Sequence, residues 1–445
     1  MTELSQEPRP LETGVRSPAS RAALAFIYAT VLFDTTGFGI IIPVFPRLVL
    51  GFLGGNQTEA GVYNGIFNAT WALMQFIFAP LLGALSDKFG RRPVLILSAL
   101  GLGADYIVQA LAPNLSWLFL GRVISGITSA SFTVSFAYVA DTVPWEKRAG
   151  AYGMIGSIFG IGFIVGPALG ALLGTFGPRV PFWGAAVLSI ASAMYGLFVL
   201  RESLPIANRR PLSLKTANPV GGLLMIRGRK GLGGFLVINF LAFLAFQVLP
   251  TVYVLYAAYR YGWGTTLVGI ALAIVGACNI IVQGLFVRRA VARFGERTML
   301  LVGLASGILG FIAWGLAADP ITFMLAIVLY APIGFVQPSV QALMTRKVGP
   351  KEQGALQGIN GSILALTGIV GPLIFGTLYG YFISPQAPIN LPGSPFLLAA
   401  ILMAMSLILA TRVTRGLGKT ISSQGFSIAK STEDQVGGNQ TPRAN

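Results

Sequence analysis

The chain has 445 residues but only 31 Lys+Arg and 15 Asp+Glu, whereas a soluble chain of this length carries about 110 charged residues. Hydrophobic residues make up 54%, Gly reaches 56 and the mean hydropathy is +0.73, which excludes an ordinary soluble enzyme of two or three domains. His is absent and Cys occurs once, at Cys278, which excludes disulfide frameworks, Cys/His metal centres and histidine-based catalysis.

The first 21 residues are polar. The apolar run that follows is too long for a signal-peptide core and lacks a small-residue cleavage site, so it reads as a first membrane span. Twelve stretches are long enough to cross the ~30 Å hydrocarbon layer as helices: 22–48, 61–86, 93–112, 116–140, 149–174, 181–200, 233–257, 266–288, 298–318, 321–344, 354–382 and 395–413. The expected fold is an all-α membrane protein. Its parts are an N-terminal segment 1–21, a six-helix half 22–200, a linker 201–232, a second six-helix half 233–413 and a tail 414–445. The tail is rich in Ser, Gly, Gln and Asn, a composition expected to be disordered.

The net charge of +16 first suggests a nucleic-acid partner. Its distribution says otherwise. Of the 31 basic residues, 27 fall in segments on one side of the twelve-span topology, three on the other (Arg47, Arg179, Arg260) and one, Arg122, inside a span. The positive-inside rule then puts both termini and the linker in the cytoplasm. The expected partners are a lipid bilayer, a small molecule and protons, with no nucleic acid, no metal and no cofactor.

Sliding the chain by 205 residues aligns Phe89-Gly90 with Phe294-Gly295, Gly153 with Gly358, Gly156-Ser157-Ile158 with Gly361-Ser362-Ile363, and Val165-Gly166-Pro167 with Val370-Gly371-Pro372. With six spans per half, this is a parallel repeat about an axis along the membrane normal, an architecture that places a transporter's site between its halves. The fifth span carries Gly162, Gly166, Gly170 and Gly174 at four-residue spacing. Such a stripe allows close backbone approach, either as static packing or as a bending helix at a moving interface, with Pro167 removing one backbone hydrogen bond.

The loop after span two reads Gly83-Ala-Leu-Ser-Asp87-Lys88-Phe-Gly90-Arg91-Arg92-Pro93. Span four begins Leu120-Gly121-Arg122, and span five carries Gly162-Phe-Ile-Val-Gly166-Pro167-Ala-Leu-Gly170. Span one contains Asp34-Thr-Thr-Gly37-Phe-Gly39 and ends toward Pro43-Val-Phe-Pro46. Together these resemble the major facilitator superfamily and its twelve-span drug:proton antiporter branch. Leu73-Met-Gln75-Phe-Ile-Phe-Ala-Pro80, Ala104-Asp105-Tyr106 and Gln353-Gly-Ala-Leu-Gln-Gly358 are similar to the tetracycline-efflux group. That group's histidine in helix eight and aspartate in helix nine, both tied to proton coupling, are Asn279 and Gly307 here.

Ionisable residues inside spans are few: Asp34, Asp105 and Arg122, all in the first half. An aspartate at the bilayer centre costs roughly 2.5–3.5 kcal/mol on insertion scales, so each is a functional candidate by default. Asp34 reads as a proton or substrate site, or as a carboxylate satisfied by backbone donors beside a wet vestibule. Asp105 could be held in a structural hydrogen bond by Tyr106. The repeat aligns Asp34 with Asn239, so polarity persists in the second half while charge does not. Gln75, Asn239, Gln247, Asn279 and Gln283 are the candidates for a substrate cavity. Asn68, Gln337 and Gln341 are further polar residues in spans, and interhelical hydrogen bonds are the competing role for all of these.

The resemblance implies a coupling role for Arg122. It also implies that Asp87, with Gly83, Lys88, Gly90, Arg91 and Arg92, forms a cytoplasmic gate against the start of helix eleven. The degenerate copy Arg293-Phe-Gly-Glu296-Arg297 has Ala292 at the aspartate position, so the gate would be asymmetric. Gly162, Gly166, Pro167 and Gly170 match the motif associated with antiporters. The expected function is proton-driven export of a small amphipathic compound by a monomer in the inner (plasma) membrane. The alternatives are a proton symporter or facilitator and, from another class, a membrane enzyme or receptor. No catalytic constellation supports an enzyme.

Overall fold

The computed structural model describes residues 18–129, 131–209, 211, 232–348 and 353–415; most of the expected N-terminal segment, of the linker and of the tail lies outside them. Every regular element among the described residues is helical. The first half comprises α1 (Leu24–Phe52), α2 (Gln57–Phe89), α3 (Arg91–Leu111), α4 (Leu115–Thr142), α5 (Trp145–Gly174) and α6 (Val180–Val199). The second comprises α7 (Gly233–Tyr261), α8 (265–294), α9 (296–316), α10 (Pro320–Thr345), α11 (Gln353–Phe382) and α12 (Ser394–Val413). Among the described residues eleven helical stretches are long and apolar enough to cross a membrane, and the longest, Thr265–Leu316, has 52 residues. Gly295 takes φ 78° and ψ 157° and divides that stretch into α8 and α9, giving the twelve expected crossings. α2 runs further than expected at both ends. Its start is fixed by Asn56, whose side chain accepts from the Glu59 amide, and its end by Gly90.

The 205-residue repeat extends to irregularities that sequence matching does not reveal. Gly90 and Gly295, the residues that end α2 and α8, both have positive φ, 106° and 78°, a conformation open chiefly to glycine. Asn114 and Asp319 stand at the same offset. Each caps its helix, α4 or α10, by accepting from two backbone amides. The Thr322 hydroxyl and the backbone amides hold the Asp319 carboxyl below the ordinary aspartate range. α1 breaks over residues 42–44 and α7 at Gln247. α4 breaks at Ser129, and α10 passes through a 3₁₀ turn, Ala331–Phe335. Prolines at 43, 46, 250 and 332 remove helical donors near three of these breaks. A π-helical turn in α8, Val282–Phe286, stands where α2 has Pro80.

Each half has its own core. The first buries Phe45, Phe67, Tyr106 and Phe182 in one cluster, and Phe26, Val31, Leu95 and Tyr138 in another. The second is built on aromatic contacts, with ring centroids 4.7 Å apart for Trp314–Tyr330 and 5.2 Å for Tyr256–Phe396. Apolar side chains such as Leu97, Val187, Phe198, Leu325 and Val328 are exposed, as a surface in contact with hydrocarbon requires.

The halves touch along α2 with α11 and along α5 with α8. At the end of the bundle bearing the α1–α2 loop, contact is close. A Cβ on Gly65 would stand 2.5 Å from the Pro372 carbonyl oxygen, and one on Gly269 2.7 Å from the Pro167 oxygen. The Asn64 amide donates to the Thr251 carbonyl. Arg47 donates to the Trp263 carbonyl at 2.5 Å and to Thr265 Oγ1 at 3.1 Å. Toward the other end, where the basic α2–α3 and α8–α9 loops lie, a Cβ on Gly153, Gly156, Gly358 or Gly361 would meet nothing within 4 Å. The bundle is therefore closed at one end and parted at the basic end.

Candidate functional site

The three ionisable candidates come together in the first half. Asp105 of α3 is fully buried and accepts from Gln109 Nε2 at 2.7 Å. Arg122 of α4 is 6% exposed, lies 3.7 Å over the Phe45 ring of α1, and acts electrostatically on Asp105. Tyr106 lies in the field of Asp34, Asp105 and Arg122 together. A Cβ on Gly37, one turn beyond Asp34, would stand 3.7 Å from the Tyr106 hydroxyl. Tyr106 thus sits among the charges, and the hydrogen bond that Asp105 accepts is donated by Gln109 instead. Gly121, next to Arg122, is required by this packing. A Cβ there would stand 2.7 Å from Asp105 Oδ1 and 2.7 Å from Gln109 Cγ.

The second half answers with amides. Asn239 of α7, 1% exposed, accepts from Gln337 Nε2 at 3.1 Å and donates to Asn360 Oδ1 at 3.1 Å. Asn360 of α11 in turn donates to Gln341 Oε1 at 2.7 Å. Asn279 accepts from Gln283 at 2.8 Å on α8 and faces Gly334 of α10. Gln247, at the α7 break, meets Gly368 and Gly371 of α11, while Ala72 of α2 also reaches Gly368. Gln247 therefore lies on the seam between halves. Gln75 is half-buried where α2 crosses α4 at Gly126.

The α2–α3 loop is organised around Arg91. Its guanidinium pairs with Asp87 at 2.6 Å and Asp141 at 3.0 Å, and donates to Ser86 Oγ at 2.6 Å. Glu202, just after α6, accepts from the Arg91 and Arg92 amides at 2.8 and 3.2 Å, an anion seated at the N-terminus of α3. A Cβ on Gly90 would collide with that carboxylate, so the motif's second glycine serves the turn and the cap at once. Arg92 reaches the Leu197 carbonyl at 2.6 Å, and Lys88 lies 5.0 Å over the Phe89 ring. Gly83 has ordinary space, with Thr133 at 3.8 Å. Asp87, Arg91, Asp141, Leu204 and Asn208 line a cleft of about 450 Å³. In this conformation Asp87 is occupied within its own half. The second half carries an ion pair at the same offset with its polarity reversed: Glu296 with Arg346, where the first half has Arg91 with Asp141.

Three glycines of the α5 stripe, Gly162, Gly166 and Gly170, face α1 inside the first half, while a Cβ on Gly174 would stand 3.1 Å from Thr265 of α8. A Cβ on Gly166 would stand 2.5 Å from Gly39 Cα, one on Gly162 2.7 Å from Thr35 Cβ, and one on Gly170 would strike the Ile40 carbonyl. The seam with α8 uses another face, through Ile164, the Pro167 carbonyl and Ala171 against Gly276 and Gly269. Sequence reasoning missed Asp141, Glu202 and Asn360. Only the first carried a signal, its 205-residue correspondence with Arg346.

A twelve-helix bundle of two repeated halves, parted at one end and carrying charges inside its spans, is the architecture of a secondary transporter. The chain belongs to the Major Facilitator Superfamily, whose family model matches residues 24–372 and 286–433. It is 36% identical over 360 residues to the class C tetracycline resistance protein of Escherichia coli, covering 81% of this chain and 90% of that one. With the class H tetracycline resistance protein of Pasteurella multocida it shares 34% identity over 395 residues, covering 88% and 96%. The crystal structure of the nucleoside transporter NupG matches with a TM-score of 0.69 at 14% identity, covering 90% of this chain and 99% of that one, a likeness of fold. The protein is a multi-pass membrane transporter of a small molecule.

Proposed function

We propose that this protein is a proton-coupled exporter of a small amphipathic compound, with tetracycline-like drugs, after the names of its relatives, as first candidates. The observation that carries the reading is the grouping of Asp34, Asp105 and Arg122 within the spans of one half. An aspartate inside the membrane binds a proton or a donor group of the substrate, but not both at full strength, and that competition is the physical basis of exchange. Arg122 keeps its charge throughout and senses whether Asp105 carries one. The basic end is the cytoplasmic end by the positive-inside rule, so the conformation here faces the cytoplasm. Both termini lie on that side of the plasma membrane, and the monomer works without a cofactor. Closing the cytoplasmic end would release Asp87 from its local pairing toward the positive N-terminus of α11.

The test is proton-linked transport in energised vesicles. Asp34→Asn should lower proton-driven flux at least tenfold while leaving substrate counterflow, which needs no gradient, largely intact. Full proton-linked flux in a normally expressed Asp34→Asn protein would sink the reading. In a drug-sensitive host, greater drug accumulation on expression of the wild type would show that the direction is wrong.

A further inference from the structure

We infer that the amide chain of the second half is the specificity-determining site, and that it takes an uncharged substrate edge carrying both hydroxyl and carbonyl groups. The inference rests on the exporter reading and assigns recognition to the half that has no charge inside its spans.

Three hydrogen bonds link four carboxamides from three helices in one direction, Gln337 to Asn239 to Asn360 to Gln341. Each amide carries donor and acceptor together, so a chain of four leaves an acceptor at one end and a donor at the other. Here these are Gln337 Oε1 and Gln341 Nε2, neither of which makes a further bond among the described residues. Neither end atom is among the buried unpartnered ones, so neither bears the cost of about 1–3 kcal/mol for an unmade hydrogen bond in a dry interior, and both are open to a ligand. Both end residues are half-buried, Gln337 bonded to the buried Asn239 and Gln341 to Asn360 of α11. The outer face of α10 is marked by Leu325 and Val328.

Gln337 and Gln341 are one helical turn apart, about 5–6 Å between Cβ atoms, the span of a hydroxyl and a carbonyl along one edge of a small ring system. Turning all four amides over together preserves every bond and exchanges the two ends. The site therefore accepts a donor–acceptor pair in either sense, which suits a transporter of related but non-identical compounds. Asn239, the buried centre, aligns with Asp34 in the repeat, so proton and substrate sites occupy equivalent places in opposite halves.

Counterflow in proteoliposomes tests this with three probes. Tetracycline and chloramphenicol carry hydroxyl and carbonyl groups; ethidium is a permanent aromatic cation with neither. Gln337→Leu and Gln341→Leu should each raise the half-saturating concentration of the hydroxylated probes roughly 5- to 50-fold, with maximal flux within twofold and ethidium unaffected. Where the wild type moves only the hydroxylated probes, the split between KM and maximal flux decides in the same way. Unchanged constants, a parallel loss of all probes, a fall in maximal flux at constant KM, or a wild type that moves ethidium alone would each overturn the assignment. A wild type that moves none of them in either direction would overturn the exporter reading itself.

Discussion

Arg122 makes no contact ion pair among the described residues. It is stacked on Phe45, with Asp105 close enough to feel its charge. A guanidinium is weakly hydrated and stacks on aromatic faces, so the ring takes part of the role that water plays elsewhere. Asp105 is fully buried, and its stability depends on a cation that does not touch it. Removing one member of a buried charge pair typically costs about 3–5 kcal/mol, because the other is left uncompensated. Arg122→Gln should therefore lower the unfolding midpoint in detergent more than the double variant Arg122→Gln/Asp105→Asn does. A double variant no more stable than Arg122→Gln alone would show that the two charges are not coupled. Lysine at position 122 should not substitute fully, since it lacks the planar face that stacks on Phe45.

At the scale of the helix, the glycines fall into two populations that composition cannot separate. Gly162, Gly166 and Gly170 have no room for a methyl group against α1, whereas Gly156 and Gly361 have nothing near them. Glycine in a helix interior costs roughly 1 kcal/mol relative to alanine, so glycines with open space gain nothing from their present surroundings. They match across the repeat and lie where α5 and α11 diverge from the opposite half, so closure of the basic end would bring those faces together. Gly166→Ala should destabilise the protein by about 1–3 kcal/mol through overpacking. Gly156→Ala/Gly361→Ala should leave the unfolding midpoint unchanged or higher, yet slow turnover. Normal turnover in that double variant would mean that the pads are not used in the transport cycle. The four-residue spacing on α5 was legible in the sequence because periodicity defines a face. Which helix covers that face was not, because periodicity names no partner: Gly162, Gly166 and Gly170 pack against α1, and only Gly174 of the stripe reaches the seam between halves.

For the whole molecule, the repeat carried most of what the sequence could reveal. A single offset joined Gly90 to Gly295 and Pro167 to Pro372, and from it followed the expectation of two like halves with six crossings each. It also relates Arg91–Asp141 to Glu296–Arg346, but a charge that changes sign looks like a mismatch until the coordinates pair it. Glu202 and Asn360 stayed hidden for a similar reason: an acid in a loop and an amide in a glycine-rich helix are both common and carry no spacing. The same two-fold arrangement sets the energetics of alternating access, because whatever holds one end shut must be weak enough to release. Across the closed end that load falls on Arg47, which donates to Trp263 and Thr265, and on Asn64, which donates to Thr251. Hydrogen bonds from a charged donor contribute about 1.5–3 kcal/mol each, and a bias of 1.4 kcal/mol shifts a two-state population tenfold. Arg47→Leu should therefore move the resting population at least tenfold toward the conformation open at the α1–α2 end. A reporter at Thr251→Cys in a Cys278→Ser background would show it as faster labelling by a membrane-impermeant thiol reagent added from outside. Labelling as slow as in the Arg47 parent would place the closing energy in the α2–α11 and α5–α8 glycine contacts instead of in the polar bridge.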